Sequence, residues 1–539
     1  MTTPQRLALA AAIMGSFVAG LDSTAVNVAL PAIREDLGGG LAAQQWIANG
    51  YLLTLGSLIL VGGSLGDIFG ERRIFSIGVA GFGAVSVLCA VAPSVEVLIA
   101  GRALQGVFGA LLTPSSLAVI VGAFGARERG AAIGSWTAWS GIAVIIGPLA
   151  GGWLVDVASW RLIFAINVPF VILTLVLVNR AVAARERSVS RAPVDWWGAA
   201  LTIAGLAGPV LGLIRQPEAG WGSPEVWGPG LGGVLLLAAF LHRERTTAHP
   251  MLPLSMFARR NFAFANLQTL FMYGGLSAAF FFLILFLQQV AGYSALEAGL
   301  VTMPPSIVMF LLSRRAGRLA DRLGPRLFMA GGPLLSAVGL LGLLRVDADP
   351  HLVTEVLLPL FVFSLGLAAC VAPLTATVLA DADDSNAGIA SGVNNAIARV
   401  AGLLAVAALG AVVAGQFGAT LDDRLGGRSL DSRAAAAVRD ARRQTLARAD
   451  PATAGAEVAS AVRDASVHAF HVGEGIAALL LGLGGVLGAV GIRNPPACSA
   501  AELAGSGGGG EGPGAEGDDL AAARARDLGH DEPASVDRG

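Results

Sequence analysis

Long apolar runs separated by short polar segments occupy most of this chain of 539 residues. A run of about 20 apolar residues forms a helix long enough to cross the roughly 30 Å of hydrocarbon in a bilayer. Helices are favoured because lipid offers no partner for backbone N–H and C=O groups, which a helix pairs within itself. The runs are 7–29, 42–62, 74–91, 95–123, 131–155, 161–178, 196–213, 226–241, 262–290, 295–312, 327–344, 352–379, 387–414 and 470–492. This pattern predicts an all-α polytopic membrane protein with fourteen transmembrane helices.

The first and the eighth runs decide whether the count is fourteen. Only Arg6 provides a positive charge before the first run, 7–29, and the run is longer than the apolar core of a signal peptide. We therefore expect it to be retained as the first membrane helix. The run 226–241 is the shortest, so a count of fourteen holds only if this run also crosses the membrane.

The composition agrees with a membrane protein and excludes several other classes. Hydrophobic residues make up 54% of the chain and charged residues 14%, against about 25% charged in a typical soluble domain. The net charge of −2 offers no basic surface for nucleic acid. All 36 basic residues are Arg, so there is no Lys for a P-loop or a Schiff base. We expect no metal and no cofactor, because the three Cys lack metal-ligand spacing. We expect no enzymatic activity, because the sequence has no HExxH, no GxxxxGK and no paired catalytic Cys and His.

The distribution of Arg between alternate loops predicts the orientation. If the N-terminus is cytoplasmic, the inner loops hold 17 Arg and the short outer loops hold four, when Arg161 at the edge of the sixth run is counted with them. Cytoplasmic loops of membrane proteins carry such an excess of basic residues. The long outer segment 415–469 departs from this rule with eight Arg, mixed with acidic residues. We therefore expect a multi-pass protein of the bacterial inner membrane with both termini in the cytoplasm.

The order of the runs divides the chain into segments. They are an N-terminal six-helix half (1–180), two extra linker helices (181–258), a C-terminal six-helix half (259–492) and a tail (493–539). The outer segment 415–469 belongs to the C-terminal half, and its pattern predicts two short Ala-rich helices around Pro451. The tail is rich in Gly, Ala and Asp, so we expect a disordered cytoplasmic segment.

A ten-residue loop pattern occurs twice. GSLGDIFGER at 63–72 and GRLADRLGPR at 317–326 both fit G-x-L-x-D-x-x-G-x-R. One interpretation is a charged turn that only fixes the topology. The other is a pair of homologous halves that move against each other, as in transporters built from repeats. The residues predicted to act in conformational switching are Gly63, Asp67, Gly70 and Arg72, with Gly317, Asp321, Gly324 and Arg326 in the second copy.

Ionisable residues inside the apolar runs are candidates for function, because charge at membrane depth is costly. Asp22 lies about 10 Å below the outer end of the first run, and Arg102 lies about 10 Å deep in the fourth. The two could exchange a proton or bind substrate, or they could form a static ion pair. Gln105 follows Arg102 by one turn and could hydrogen-bond beside it. Arg399 could face the central cavity or pair with a group near the cytoplasm.

The fifth run combines a proline with closely spaced glycines. GPLAGG at 147–152 is predicted either to act as a hinge that fixes the direction of movement or only to pack closely. Its candidate residues are Gly147, Pro148, Gly151 and Gly152. Four ionisable residues near the outer ends of the fifth and fourteenth runs are expected at the membrane interface: Asp156, His468, His471 and Glu474.

Several of these motifs resemble those of one transporter family. They are LDSTAVNVALPAI at 21–33, QWIANGYLLT at 45–54, GSLGDIFGERR at 63–73, GRALQGVFGA at 101–110 and GPLAGG at 147–152. Together they resemble the major facilitator superfamily. The motif of the fifth run and the two extra central helices are similar to its fourteen-helix drug:proton antiporters of the EmrB/QacA type. The likeness extends over residues 1–415 and implies the major facilitator fold, with two six-helix halves plus two extra central helices.

The resemblance also implies a function. We expect proton-coupled export of hydrophobic small molecules such as drugs or antibiotics, with Asp22 exchanging the proton and Arg102 tuning it. The expected partners are a lipophilic substrate, protons and the lipid bilayer, without nucleic acid. A monomer is expected, acting alone or with a cell-envelope partner. The alternatives are a proton-coupled importer of a nutrient or metabolite, and a membrane receptor, scaffold or enzyme that transports nothing.

Overall fold

The computed structural model describes residues 1–181, 194–248, 250–380, 387–426 and 428–494. Within these ranges the secondary structure is helical, with no strand. Fourteen helices are long and apolar enough to cross a membrane, which confirms the number predicted from the apolar runs. The shortest run, 226–241, lies inside one of these helices, Pro224–Thr246. The predicted tail 493–539 lies outside the described residues beyond position 494.

The helices are numbered α1 to α18 in chain order. They are α1 (Thr3–Leu37), α2 (Leu41–Phe69), α3 (Glu71–Ala90), α4 (Val95–Ala123), α5 (Ala126–Val157), α6 (Leu162–Ala165), α7 (Asn167–Ala181), α8 (Trp196–Ala219), α9 (Pro224–Thr246), α10 (Arg260–Gln289), α11 (Ala295–Val301), α12 (Met303–Leu323), α13 (Pro325–Gly342), α14 (Leu358–Ala380), α15 (Ala387–Leu425), α16 (Ser432–Gln444), α17 (Pro451–Ala454) and α18 (Ala456–Gly491). The sixth crossing consists of α6 and α7, and the tenth consists of α11 and α12. One π-helical turn, Leu352–Leu357, leads into α14.

The membrane helices form two bundles that share one core. α1 to α7 pack mainly on one another, as do α10 to α18, and α2 with α15 and α5 with α11 connect the two bundles. A single apolar cluster includes residues of both bundles, such as Ile33 and Phe282. The extra helices α8 and α9 pack on each other, and α8 also packs against α2 and α15. Because the core is shared, the domain boundaries at 180 and 258 stay predictions.

The two copies of the loop motif have the same backbone geometry. Gly70 has φ 90° and ψ 129°, and Gly324 has φ 87° and ψ 144°. Each glycine ends one membrane helix and begins the next, in a conformation that L-residues avoid. Arg72 donates to Asn179 Oδ1 at 3.2 Å, and Arg326 donates to Ala489 O at 2.7 Å. Each motif arginine therefore reaches the last helix of its own bundle, which supports the interpretation as two homologous halves.

The segment 415–469 is more continuous with the membrane helices than predicted. α15 extends to Leu425 and α18 begins at Ala456, so only α16 and the four-residue α17 are separate helices. The second predicted short helix is the first part of α18. Ion pairs join the two ends of the segment 415–469, and in one of them Arg424 Nη2 lies 3.2 Å from Asp464 Oδ2. Because α18 begins before the apolar run at 470, Glu474 lies near the middle of a long helix, and its side chain is buried inside the protein.

We expect Gly70→Ala and Gly324→Ala each to lower the free energy of unfolding by about 1–3 kcal/mol, because a Cβ is strained at these dihedral angles. Gly63→Ala is the matched control. It changes a helical glycine of the same motif whose added Cβ would have only Pro114 Cβ near it, at 3.9 Å. The measurement is the thermal unfolding midpoint in detergent. Equal midpoints for Gly63→Ala and Gly70→Ala would contradict the assignment of strain to Gly70.

Candidate functional site

A hydrogen-bond network surrounds the fully buried side chain of Asp22 on α1. Arg102 Nη1 on α4 donates to Asp22 Oδ2 at 2.5 Å. Gln105 Nε2, one turn farther along α4, donates to Asp22 Oδ1 at 3.1 Å, and Asn167 Nδ2 on α7 donates to the same oxygen at 2.9 Å. The structure thus brings together three of the four residues predicted for proton coupling or substrate binding: Asp22, Arg102 and Gln105.

The guanidinium group of Arg102 has several partners besides Asp22. Its Nε donates to Ile47 O at 3.2 Å, and its Nη1 donates to Gln105 Oε1 at 2.6 Å. Its central carbon lies 4.5 Å from the centre of the Tyr51 ring and 5.8 Å from that of Phe164. Both distances are typical of cation–π contacts. Arg102 is therefore fixed between α1, α2 and α4 by contacts that do not all depend on Asp22.

The Asp22–Arg102 pair is enclosed within the N-terminal half, where Asp22 is 0% and Arg102 1% exposed. Removing one partner of a buried ion pair costs about 3–5 kcal/mol, because the other charge is left uncompensated. The neighbouring amides of Gln105 and Asn167 add charge-assisted hydrogen bonds that favour the carboxylate. A static ion pair and a proton-exchanging pair share this geometry. They differ only in whether Asp22 changes its protonation state.

Two members of the network were not among the predicted site residues. Ser86 Oγ on α3 accepts from Gln105 Nε2 at 2.9 Å and from Asn167 Nδ2 at 3.3 Å. An amide in the otherwise apolar sixth run was the available signal for Asn167. Ser86 gave no signal, because a helical serine commonly bonds within its own helix, as Ser86 also does by donating to Phe82 O at 2.8 Å.

Arg399 does not join the Asp22 network. It is half-buried on α15, where a Cβ added to Gly56 of α2 would lie 3.2 Å from the Arg399 Cβ. Tyr51, five residues before Gly56 on α2, has Arg102 on its ring. This placement favours the prediction that Arg399 faces the space between the halves.

The glycines of the fifth-helix motif bring α5 very close to α1. A Cβ added to Gly147 would lie 1.9 Å from Thr24 Oγ1, and one added to Gly151 would lie 2.8 Å from Ala25 Cβ. Real Cβ atoms do not approach other atoms this closely, so larger residues would push the helices apart. The contact lies one turn or less from Asp22 along α1.

The same motif forms a backbone contact between the two halves. A Cβ added to Gly152 of α5 would lie 2.6 Å from Ala295 O of α11. In the reverse direction, a Cβ added to Gly299 of α11 would lie 2.5 Å from Pro148 O. The geometry fits the packing interpretation of this motif and places that packing where the halves meet.

Asp156 closes the same contact between the halves, although the sequence indicated only an interfacial residue. Its Oδ1 accepts the Ala295 N–H at 3.1 Å and its Oδ2 accepts the Leu296 N–H at 2.9 Å. A carboxylate from one half therefore caps the N-terminus of α11 in the other half. Nearby, Gln288 Nε2 of α10 donates to Val28 O of α1 at 3.0 Å. Sequence position could not show which helix end Asp156 reaches.

Toward the loop-motif side, α5 has fewer neighbours. Around Gly130, Gly134 and Gly141, no atom of the described residues lies within 4 Å of the position of an added Cβ. The backbone contacts of α5 with α11 thus occur in its last three turns. The halves are in close backbone contact at the Asp156 end of α5, and α2 also contacts α15 farther along, where a Cβ added to Gly392 would lie 3.1 Å from Leu60.

This architecture defines a class of protein. Two helical bundles with matching loop motifs pack against each other, and one of them holds a buried ion pair, as in membrane transporters built from repeats. Within the described ranges, no group of three or more His, Cys, Asp or Glu side chains is arranged to hold a metal ion. The fold and the site are those of a membrane transporter.

The family can be stated from comparison with known proteins. The family model of the Major Facilitator Superfamily matches residues 12–406. The chain belongs to this superfamily, which confirms the resemblance read from the motifs and the fold expected from it. Membership identifies a multi-pass membrane transporter rather than an enzyme.

Several relatives are named as export or resistance proteins. The tetracenomycin C resistance and export protein of Streptomyces glaucescens is 34% identical over 439 residues, which cover 80% of this chain and 81% of that protein. The puromycin resistance protein pur8 of Streptomyces alboniger is 37% identical, covering 75% and 80%. The multidrug resistance protein Stp of Mycobacterium tuberculosis is 32% identical, covering 79% of each.

Solved structures of low sequence identity share the fold. A bacterial homologue of the human lysosomal transporter Spinster, in an inward-facing and unoccupied conformation, aligns with a TM-score of 0.63 at 17% identity, covering 92% of this chain and all of that chain. The inward-open xylose transporter XylE from E. coli aligns with a TM-score of 0.55 at 13% identity, covering 92% and 98%. At this level of identity the likeness shows the fold alone.

We expect Gly152→Ala to weaken closure at the Asp156 side, because the added methyl group would overlap the backbone of Ala295 and Leu296. Gly141→Ala is the matched control on the same helix, since nothing lies near its added Cβ. The measurement is labelling of Val155→Cys by a membrane-impermeant thiol reagent, in a background without other cysteines. Faster labelling is expected with Gly152→Ala only, and equal labelling in the two variants would contradict this role of Gly152.

Proposed function

We propose that this protein exports lipophilic small molecules, such as antibiotics, across the bacterial cytoplasmic membrane in exchange for protons. Family membership makes it a transporter, and the names of its relatives support export of antibiotics and drugs. The observation that carries proton coupling is the buried Asp22–Arg102 pair, because an intramembrane carboxyl with a nearby cation is the kind of group that transporters use to bind protons.

The surroundings of Asp22 suit both protonation states. When Asp22 is neutral, Arg102 keeps Ile47 O, Gln105 Oε1 and the Tyr51 ring as partners. When Asp22 is charged, Arg102 and two amide groups donate to it. Protonation thus removes one strong contact between α1 and α4 without leaving the arginine isolated. We infer that Asp22 exchanges the proton and that Arg102 and Gln105 adjust how readily it does so.

Proton binding at Asp22 would act on the neighbouring helix contact. Asp22 lies beside Leu21, Thr24 and Ala25, the part of α1 that contacts the Gly147 and Gly151 positions of α5. α5 in turn contacts α11 of the other half. A shift of α1 after loss of the ion pair would therefore be passed through α5 to the closed side. In this mechanism the fifth-helix motif acts as a hinge as well as a packing surface.

The available energy is sufficient for export. One elementary charge that crosses 100 mV releases about 2.3 kcal/mol. Because about 1.4 kcal/mol corresponds to a tenfold ratio, one proton supports roughly a fifty-fold concentration gradient of a neutral substrate.

The orientation is part of the proposal. The excess of Arg on the loop-motif side supports a cytoplasmic location for that side and for both termini. The close contact between α5 and α11 then lies toward the outside. A lipophilic substrate would enter from the cytoplasm or the inner leaflet, between apolar walls that allow a broad choice of molecules. Arg399 lies between the halves and would contact such a substrate. We propose a monomer as the working unit.

We expect Asp22→Asn to abolish proton-driven transport, because the amide cannot bind and release a proton. The measurement is ethidium accumulation in energised inverted membrane vesicles, with and without an uncoupler. Asp349→Asn is the matched control, since it makes the same chemical change at an exposed carboxylate that pairs with Arg463 at 3.0 Å.

The outcomes separate the alternatives. Loss of accumulation in Asp22→Asn and after uncoupling, with normal activity in Asp349→Asn, would support the exporter with Asp22 in the coupling path. Uncoupler-sensitive accumulation that persists in Asp22→Asn would move the proton site elsewhere. Uptake of substrate into right-side-out vesicles, driven by an inward proton gradient, would instead establish an importer.

A further inference from the structure

A carboxyl group lies unpaired inside the C-terminal half. Glu474 is near the middle of α18 and is 0% exposed. Neither Oε1 nor Oε2 has a hydrogen-bond partner among the described residues. Transfer of an isolated carboxylate into apolar surroundings is so costly that such groups become neutral instead. In this state Glu474 is therefore a neutral acid that carries a proton.

The surroundings of Glu474 are apolar. α18 packs against α10, α13 and α15. Contacts at this level of α18 are Phe470 with Phe286 (ring centroids 4.2 Å apart), Gly473 with Val413 and Ala477 with Gly275. None of these side chains can share the proton or stabilise a charge. The pocket would therefore close tightly around the neutral acid and resist the carboxylate.

Charged and titratable side chains also occur on the elements packed around α18. They are Arg260 and Tyr273 on α10, Arg326 and Arg345 at the two ends of the α13 crossing, Arg399, Asp422, Asp423 and Arg424 on α15, Arg433, Arg439, Asp440, Arg442 and Arg443 on α16, and Glu457, Arg463, Asp464, His468 and His471 on α18 itself. None of them is hydrogen-bonded to the Glu474 carboxyl group, whose two oxygens have no partner among the described residues.

Two histidines precede this carboxyl group on α18. His468, His471 and Glu474 follow at intervals of three, and such residues are neighbours on a helix. Each step moves about 4.5 Å along the helix axis. His468 is exposed, His471 is half-buried and Glu474 is buried. His471 Nε2 lies 2.7 Å from Val346 O, and a carbonyl oxygen can only accept, so Nε2 donates and Nδ1 remains the acceptor nitrogen.

Glu474 lies within about one helical turn of the position in its half that corresponds to Asn167 in the other. α7 and α18 are the last helices of the two halves, and each bonds to its own loop-motif arginine. Asn167 lies 12 residues before Asn179, and Glu474 lies 15 residues before Ala489. Asn167 belongs to a network with an arginine from α4, whereas α14, the counterpart of α4, contains no charged residue. The C-terminal half therefore has a carboxyl at this depth without a cation beside it.

We propose that Glu474 is a second proton-binding site of the transport cycle, loaded from the outer side by way of His468 and His471. The inference rests on the proposed export function and its orientation. When the outer side is open, the Glu474 carboxylate takes a proton from the His471 imidazolium. The N–H bond at Nδ1 breaks, an O–H bond forms on the carboxyl group, and the imidazole becomes neutral. The neutral acid then allows α18 to pack against α10 and α15 in the state closed to the outside.

The first test compares Glu474→Gln with the wild type in proteoliposomes. The two readouts are the number of protons exchanged per ethidium molecule and the dependence of the transport rate on outer pH. Because glutamine imitates the neutral acid, we expect transport to persist, the proton count to fall by one and the rate to lose much of its dependence on outer pH. Glu474→Asp should retain the wild-type proton count. His471→Gln should slow transport at an unchanged count.

The matched control is Glu457→Gln, the same chemical change on the same helix at an exposed carboxylate that pairs with Arg428. It should keep both the proton count and the pH profile of the wild type. If Glu474→Gln also keeps both while the wild type transports ethidium, the second site is refuted and the export function stands. If the wild type does not transport in exchange for protons, the export function itself fails.

A spectroscopic measurement tests proton binding without transport. The infrared spectrum of the purified wild type should contain the C=O band of a buried neutral carboxyl group, and this band should be missing in Glu474→Gln. If Glu474→Gln does not fold, Glu474→Asp should shift the band instead of removing it. A wild-type spectrum without such a band at neutral pH would overturn the assignment of a proton to Glu474.

Discussion

Lipid cannot satisfy a polar group, and the rest of this structure depends on that constraint. It makes every crossing a helix, and it requires an intramembrane charge to be paired or neutral. Asp22 meets the requirement by pairing with Arg102 and with two amide donors. Glu474 meets it by carrying a proton among apolar side chains. The two halves thus contain the two ways in which a membrane protein can hold a carboxyl group, one paired with a cation and one without a partner.

Close backbone contacts extend from the buried Asp22 carboxyl group to the other half. Gly147 and Gly151 set α5 against α1 beside Asp22, while Gly152 sets α5 against α11 of the other half. Asp156 adds two hydrogen bonds to the N-terminus of α11. Packed backbones have few intermediate arrangements, so such a contact is either made or broken. One helix, α5, therefore contacts both the region of the buried ion pair and α11 of the other half.

The sequence predicted most of the fold and part of the site. The fourteen crossings followed from run length, since hydrocarbon thickness fixes the length of a spanning helix. The duplicated loop motif predicted two related halves, because Gly70 and Gly324 serve a local backbone requirement that appears directly in the sequence. Similar depth along their helices placed Asp22 with Arg102. The resemblance of the motifs to a known family gave the superfamily correctly.

The sequence alone determined the features that single segments set: the helices, their number and the turn glycines. The expected orientation came from the distribution of Arg among the loops. Only the tertiary structure decided which segments meet. It brought Asn167 and Ser86 to Asp22, directed Asp156 to the α11 N-terminus and enclosed Glu474, which was expected at the interface. These are contacts between helices distant in the chain. Helix rotation and helix neighbours fix them, and neither is encoded in the composition or depth of one apolar run.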